Sequence, residues 1–423
     1  MRAGSAAVRP AVRTALLPVA VVASVLPFLP PAGRTDLHGA ALPAVAGAVG
    51  LVGAVLLWWQ VVLGVRHVSA LLTPDRGAAV TLHAWLGSLG AFCVLVHPLL
   101  QMHAEGRGPE YLVAVDLAFA EGVDTTLGRL ALLVFLVVWL TSTLARSALT
   151  HRAWRRVHLL SYPLAVLVFL HATALGTILL AEPWLRAYWY GLAAAFALVC
   201  AYRLLAPLTA ARYRVRTAEP GPGGATRYVL DPLGRALHPR PGQFVGLRLS
   251  PLRRAHPFSA VDVGPAGEIV LVVGHVGPFT RRLRGLAPGG VVRLDGPYGG
   301  FAADAGDGPA VLVAGGVGVT AFARLAAEHA GSVLFHVNRG EPVLGAELAD
   351  ACAGRYVPVT RSPVAAPGVR PGRFDARTLP AEVDDPAARW FVCGSPRFVD
   401  GVRADLRAAG VPRSRIRAEL FDS

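Results

Sequence analysis

Residues Val80–Leu100 read VTLHAWLGSLGAFCVLVHPLL. The stretch is apolar and reaches the about 20 residues a helix needs to cross a bilayer. It nevertheless carries two histidines, His83 and His97. An imidazole inside a membrane is costly unless it has a partner. The two are separated by 14 residues. At about 1.5 Å per residue that is roughly 20 Å along the membrane normal, and steps of about 100° bring both near one helix face.

A second stretch repeats the pattern. VHLLSYPLAVLVFLHATALG, residues 157–176, carries His158 and His171, 13 residues apart. If the two spans run the same way, the level pairs are His83 with His158 and His97 with His171. Two imidazoles facing each other across a helix gap are what a bis-histidine b-type haem iron requires, and two such haems stacked make an electron path through the bilayer. Thirteen residues miss whole turns by about 140°, so an ideal helix would turn His158 and His171 apart. Pro163 lies between them and predicts a distortion there. A straight span would oppose the haem reading. The plain alternative is a set of hydrogen-bonded membrane histidines or an ion path; four histidines matched in depth favour the haems. For His38, His67, His103 and His151, near span ends, the plain reading holds.

Six apolar spans are expected, near residues 11–31, 40–65, 78–102, 127–147, 155–181 and 187–208. The first is read as a retained helix rather than a cleaved signal peptide. The 423 residues are 54% hydrophobic, with mean hydropathy +0.49, which fits membrane spans joined to a soluble part. The net charge of +14 does not point to nucleic acid: no Lys is present, and the arginines gather at span edges. Arg2, Arg9 and Arg13, then Arg66 and Arg76, then Arg146, Arg152, Arg155 and Arg156, then Arg203, Arg212, Arg214 and Arg216 mark alternate connections. The positive-inside rule puts these, the N-terminus and the whole C-terminal half in the cytoplasm of a multi-pass cell-membrane protein. The four cysteines, Cys93, Cys200, Cys352 and Cys393, form no CxxC or ferredoxin-type cluster. That excludes a zinc ribbon, covalent c-type haem and a fused plant-type iron–sulfur domain.

From about Tyr213 the chain turns to short β-rich runs broken by Gly and Pro, which predicts a small antiparallel barrel. From Ala310 strand, glycine loop and helix alternate, which predicts a doubly wound parallel sheet. The expected domains are 1–210 in the membrane, 211–308 as a barrel and 309–423 as an α/β domain. HPFS, His256–Pro257–Phe258–Ser259, offers an aromatic face and a hydroxyl to a planar ring. GPFT, Gly277 to Thr280 with Phe279, offers amides and a hydroxyl to a pyrophosphate, with Arg281 and Arg282 beside it. AGGVGVT follows a strand and opens a helix, so Gly315, Gly316, Gly318 and Thr320 suit a second pyrophosphate. Arg339, and Thr360 with Arg361, follow successive strands and are candidates to grip a 2′-phosphate, as is Arg373. CGSP places Cys393 and Gly394 at another strand end, and Phe421, followed by Asp422 and Ser423, is a candidate core residue or lid.

Together and in this order, these motifs resemble the ferric reductase and NADPH oxidase family over nearly the whole chain. The resemblance implies a multidomain membrane protein: a six-helix transmembrane bundle, an antiparallel β-barrel FAD domain and an α/β doubly wound nicotinamide-binding domain. It implies His83, His97, His158 and His171 as ligands of two b-type haem irons. It implies FAD at His256, Pro257, Phe258, Ser259, Gly277, Phe279 and Thr280, with the ring of Phe421 over the flavin. It implies NADPH at Gly315–Thr320, with Cys393–Gly394 near the nicotinamide, and NADPH is preferred over NADH. Phe421 and Cys393 are thus the residues expected beside the hydride transfer. The expected activity moves electrons from cytoplasmic NADPH through FAD and the haems to a small acceptor at the outer face. Ferric chelate is the first choice and oxygen, giving superoxide, the second. Gln101 stands where oxidases of the family often have another histidine, and no EF-hand loop is present. A metal or proton transporter with a regulatory nucleotide domain is the alternative from another class.

Overall fold

The computed structural model describes residues 10–29, 41–73, 76–251, 253–299, 310–329, 332–352, 354–360, 369–372, 374 and 388–420. The chain divides into two compact units, residues 1–204 and 205–423.

The first unit is helical: α1 (Pro10–Val25), α2 (Ala41–Gly64), α3 (Arg66–Leu72), α4 (Arg76–Ala104), α5 (Ala120–Thr143), α6 (His151–His158), α7 (Ser161–Leu175), α8 (Thr177–Ala181) and α9 (Pro183–Leu205). Among the described residues five helical stretches are long and apolar enough to cross a membrane: α2, α4, α5, α6 with α7, and α9. Six were expected. The first apolar stretch forms α1, which a 3₁₀ turn continues to Phe28, and residues 30–31 of the expected span lie outside the described residues. The α5 stretch starts seven residues before its apolar window, because Glu121 and Asp124 extend the helix without being hydrophobic. α2 packs on α4, and α5 on α7. Small residues make the first contact close: a Cβ at Gly53 would stand 3.0 Å from that of Cys93.

The distortion expected near Pro163 is present, and its cause is local. Pro163 is the third residue of α7. It has no N–H to give to the Leu159 carbonyl, and its ring crowds that carbonyl. The chain responds at Leu159–Leu160 with tighter i→i−3 bonds, Leu160 to Val157 at 2.9 Å and Tyr162 to Leu159 at 3.2 Å. The α-helical pattern resumes at Leu164, bonded to Leu160. The break resets the helical phase between His158 and His171. At the far end Gly176, with extended backbone, stops α7 short of the expected residue 181.

The second unit holds two sheets. β1 (Ala211–Pro220), β2 (Ala225–Pro232), β3 (Phe244–Arg248), β4 (His256–Ser259), β5 (Asp262–Val263), β6 (Ile269–Gly274) and β7 (Val291–Tyr298) form an antiparallel sheet in the order β4-β3-β7-β1-β2-β6-β5. A closed barrel was expected; among the described residues the ladders leave β4 and β5 as end strands. Alternate residues such as Tyr213, Leu230, Leu271 and Leu294 are fully buried on one face, as period-two strands require. The short α10 (Pro278–Leu283) follows β6 and buries Leu283 in that core.

The other sheet is wholly parallel: β8 (Ala310–Gly315), β9 (Ser332–Asn338), β10 (Tyr356–Thr360), β11 (Arg370–Pro371), β12 (Arg389–Gly394) and β13 (Ile416–Leu420), in the order β11-β10-β9-β8-β12-β13. One face is covered by α11 (Ala323–Glu328) and α12 (Gly345–Ala351), the other by α13 (Pro396–Ala408). Strand order reverses at β8, so the switch point lies between β8 and β12. Ligands of such sheets bind outside the strand C-termini at this place.

Candidate functional site

His83 and His97 stand on α4, His158 ends α6 and His171 lies on α7. The ring centroids of His83 and His158 are 6.3 Å apart, and those of His97 and His171 6.4 Å. Imidazole nitrogen binds metals at about 2 Å, and the ring centre lies about 1 Å behind it, so two imidazoles opposed on one metal stand about 6 Å apart. Both pairs meet that requirement. No group of three or more His, Cys, Asp and Glu able to hold a metal exists among the described residues. A pair suffices where a porphyrin supplies the other four ligands.

The second nitrogens of the rings support the same donor set. His97 Nδ1 is 2.8 Å from the Ala46 carbonyl and His171 Nδ1 is 2.9 Å from that of Asp124. A carbonyl only accepts, so each Nδ1 carries the proton and each Nε2 keeps its lone pair. His158 Nδ1 is 3.1 Å from Ser142 Oγ, which also accepts from the Trp154 indole at 3.2 Å. Trp154 stacks on His158 at 4.8 Å. His83 Nδ1 is buried with no partner among the described residues, while Gln60 donates to the His83 carbonyl at 2.8 Å. Glycines stand where the rings leave no room. A Cβ at Gly50 would lie 2.7 Å from His97 Nδ1, and one at Gly128 2.5 Å from His171 Cε1. A mostly apolar cavity beside the His83–His158 pair is lined by Trp58, Gln60, Phe135 and Trp139. Histidine spacing was legible in the sequence; Ser142, Gly50 and Gly128 were not, because they lie on other helices, and Trp154, one turn before His158 on α6, offered the only local signal.

In the second unit HPFS is β4 itself, paired with β3. The His256 ring stacks on Phe279 at 3.7 Å and 12°, so residues 23 apart in two motifs form one surface. Burial, and then the nearby Arg254, hold the His256 pKa below its usual value. Phe258 and Phe279 are half-buried against the antiparallel core, 6.2 Å apart. Ser259 is buried. Gly277 and Thr280 bond to each other: the Thr280 hydroxyl accepts from the Gly277 amide at 2.9 Å and donates to its carbonyl. Pro257 sits between these groups on the same strand.

At the switch point the two glycine turns touch. Gly315 ends β8 and Gly394 ends β12. A Cβ at Gly318 would lie 2.6 Å from the Cys393 carbonyl, and one at either Gly315 or Gly394 would strike the Phe398 ring. The loop departs from the expected helix start: Gly316–Ala321 is a 3₁₀ turn, and α11 has only six residues. Thr320 is buried, its hydroxyl donating to the Val317 carbonyl at 2.9 Å, so it does not face outward. Arg339 is exposed just past β9. Thr360 ends β10, buried and in register with Asn338. The Cys393 thiol is fully buried beside Glu419, and both push its pKa well up, which keeps it a neutral thiol. Phe421, Arg361 and Arg373 lie outside the described residues.

Residues 49–169 match the family described as "Ferric reductase like transmembrane component". The match takes in His83, His97 and His158 and stops two residues short of His171. The chain is 27% identical over 219 residues to a flavohemoprotein of Bordetella pertussis, covering 46% of this chain and 48% of the relative. It is 41% identical over 87 residues to a probable dihydroorotate dehydrogenase B (NAD(+)) electron transfer subunit of Pyrococcus abyssi, covering 20% of this chain and 32% of that one. The chain thus spans about half the length of the flavohemoprotein it matches. A crystal structure of the flavohem-like FAD/NAD-binding domain of a nitric oxide dioxygenase from Vibrio cholerae is similar at 24% identity and a TM-score of 0.45, covering 50% of this chain and 98% of that one. Over residues 49–169 the chain is thus similar to the ferric reductase-like transmembrane component family.

Proposed function

We propose that the protein is a transmembrane oxidoreductase that takes electrons from cytoplasmic NADPH and delivers them, through FAD and two b-type haems, to an acceptor at the outer face. The observation that carries this reading is the repeated histidine pair: two imidazoles about 6 Å apart, twice, on the same two helical spans. When bound, FAD supplies the conversion from a two-electron hydride to single electrons, and haem iron carries them one at a time.

The residues then bind, space and tune. His83 with His158 would hold the iron nearer the cytoplasm, and His97 with His171 the outer one. The stack of His256 on Phe279 and the edge of β4 would receive the flavin. The glycine loop after β8 and Gly394 after β12 would receive the nucleotide at the switch point. Arg339, exposed just past β9, would meet a 2′-phosphate, and on that reading NADPH is preferred over NADH. No side chain in the membrane needs to act as acid or base. Ferric chelate is the proposed acceptor. Gln101, whose amide donates to Glu105 at 2.9 Å, stands in place of an additional histidine and argues against dedicated oxygen reduction.

Two measurements test this. Reduced-minus-oxidised spectra of haem-supplied protein must show b-type bands; their absence would leave the histidines to an ion-transport role. NADPH oxidation in oriented vesicles, with ferric chelate, oxygen and quinone side by side and superoxide dismutase as control, identifies the acceptor. Ferric reduction that is insensitive to the dismutase is the expected outcome.

A further inference from the structure

The nucleotide reading of the second unit leaves a buried histidine, His336, without a role. His336 lies in the middle of β9 with no exposed surface. A polar side chain in an apolar sheet is costly unless it is fully bonded, and here both nitrogens are. Nε2 is 2.9 Å from the Gly316 carbonyl and Nδ1 is 2.9 Å from the Tyr356 hydroxyl. The carbonyl only accepts, so Nε2 carries the proton and Nδ1 accepts from the tyrosine. Burial lowers the His336 pKa to about 4, so the ring is neutral near pH 7. The chain of bonds Tyr356–His336–Gly316 therefore runs from β10 through β9 to the loop after β8, with each donor assigned.

Its end point matters. Gly316 has φ +55°, and a Cβ there would meet nothing within 4 Å. Glycine is needed for the backbone angle rather than for space. The carbonyl of Gly316 is tied inward to His336. Across a planar trans peptide the C=O and the following N–H point in opposite directions. The Val317 N–H is thereby turned away from β9, on the loop that skirts the switch point between β8 and β12.

We propose that His336, held by Tyr356, is a positioning residue that fixes the Gly316–Val317 peptide so that its N–H meets the pyrophosphate of a nicotinamide dinucleotide. The inference rests on the nucleotide reading above and adds a named device to it. Pure packing would need neither ring nitrogen, and Leu312 and Leu334 fill neighbouring strand positions without one.

The test uses the full chain loaded with FAD, with NADPH and NADH as probes and anaerobic flavin reduction as the readout. Dithionite reduction of the flavin serves as a control that bypasses the nucleotide. His336→Leu is expected to raise the nucleotide KM roughly three- to tenfold, the range that one lost hydrogen bond corresponds to. kcat at saturation and the dithionite reaction should hold. His336→Gln keeps an N–H near the Nε2 position and is expected to restore KM to within about twofold of the parent. An unchanged KM in His336→Leu overturns the proposal, as does an equal rise in the Leu and Gln variants. If His336→Leu does not fold, Tyr356→Phe carries the test: a raised KM with intact dithionite reduction supports the device, and an unchanged KM overturns it. A parent protein whose flavin neither nucleotide reduces removes the underlying reading as well; an active parent with unmoved variants removes only the positioning role.

Discussion

His97 and His171 face each other with ring centroids 6.4 Å apart, and each Nδ1 is tied to a main-chain carbonyl, of Ala46 and of Asp124. The other pair is held differently. His158 is tied to a side chain, Ser142, and His83 Nδ1 has no partner among the described residues. A main-chain carbonyl remains whatever side chain it carries, so the Nδ1 partners of the first pair survive side-chain changes at Ala46 and Asp124, while that of His158 is lost when Ser142 is replaced.

Ser142→Ala removes the hydroxyl that bonds His158 Nδ1 and accepts from the Trp154 indole. Loss of such a partner typically costs 10–100-fold in metal affinity. Haem retention at the His83–His158 pair should fall by about that factor while the other pair keeps its haem. Haem per chain and a redox titration read this directly; equal loss at both pairs would contradict the assignment.

Gly128→Val places a branched side chain where the His171 ring now lies, since even a Cβ would sit 2.5 Å from Cε1. The ring is wedged between α5 and its partner and must turn. The expected result is one haem per chain instead of two, measured as the pyridine haemochrome, with the chain still folded in detergent.

Pro163→Ala supplies an i→i−4 N–H for the Leu159 carbonyl, which now accepts from Tyr162 at 3.2 Å. The break between α6 and α7 should then close into a continuous helix, and His158 should rotate away from His83. Helix content should hold or rise while the haem bands of that pair weaken. Unchanged bands would mean that the break at Leu159–Leu160 has another cause.

His336 makes the second unit sensitive to acid. Its folded pKa of about 4 lies below the ordinary value of 6.5. The unfolded chain therefore takes up a proton from pH 6.5 downward, while the folded state resists until about pH 4. Stability is complete above that window and declines through it on acidification, by roughly 3 kcal/mol at most. Calorimetry of the full chain should show His336→Gln losing less stability than the parent between pH 6.5 and 4. Parallel curves for the two proteins would refute this.

The membrane half was legible because haem ligation, as read here, needs only residue type and depth, and depth is sequence distance multiplied by helical rise. His83, His97, His158 and His171 could be paired on that arithmetic alone. Their second nitrogens could not, since Ala46, Asp124 and Ser142 lie on other parts of the chain and two of them contribute through backbone. The first expected span, residues 11–31, is helical from Pro10 to Phe28, and its last two residues lie outside the described residues.

In the second half, the sequence by itself determined the order of the motifs and the period of the strands. Glycine runs after strands and alternation of apolar residues are local properties. Only the tertiary structure decided which motifs share a surface. His256 meets Phe279 because β4 runs beside the start of α10, and Gly318 meets Cys393 because β8 and β12 are neighbours despite the β9–β11 excursion between them. It also decided what the hydroxyls of Thr280 and Thr320 do, since each bonds within its own turn. Strand order and side-chain bonding depend on contacts far apart in the chain, and no local pattern encodes them. His336 shows the difference most plainly: in the sequence it is one histidine in an apolar strand, and in the fold it joins a tyrosine on one neighbouring strand to the carbonyl of a glycine loop on the other.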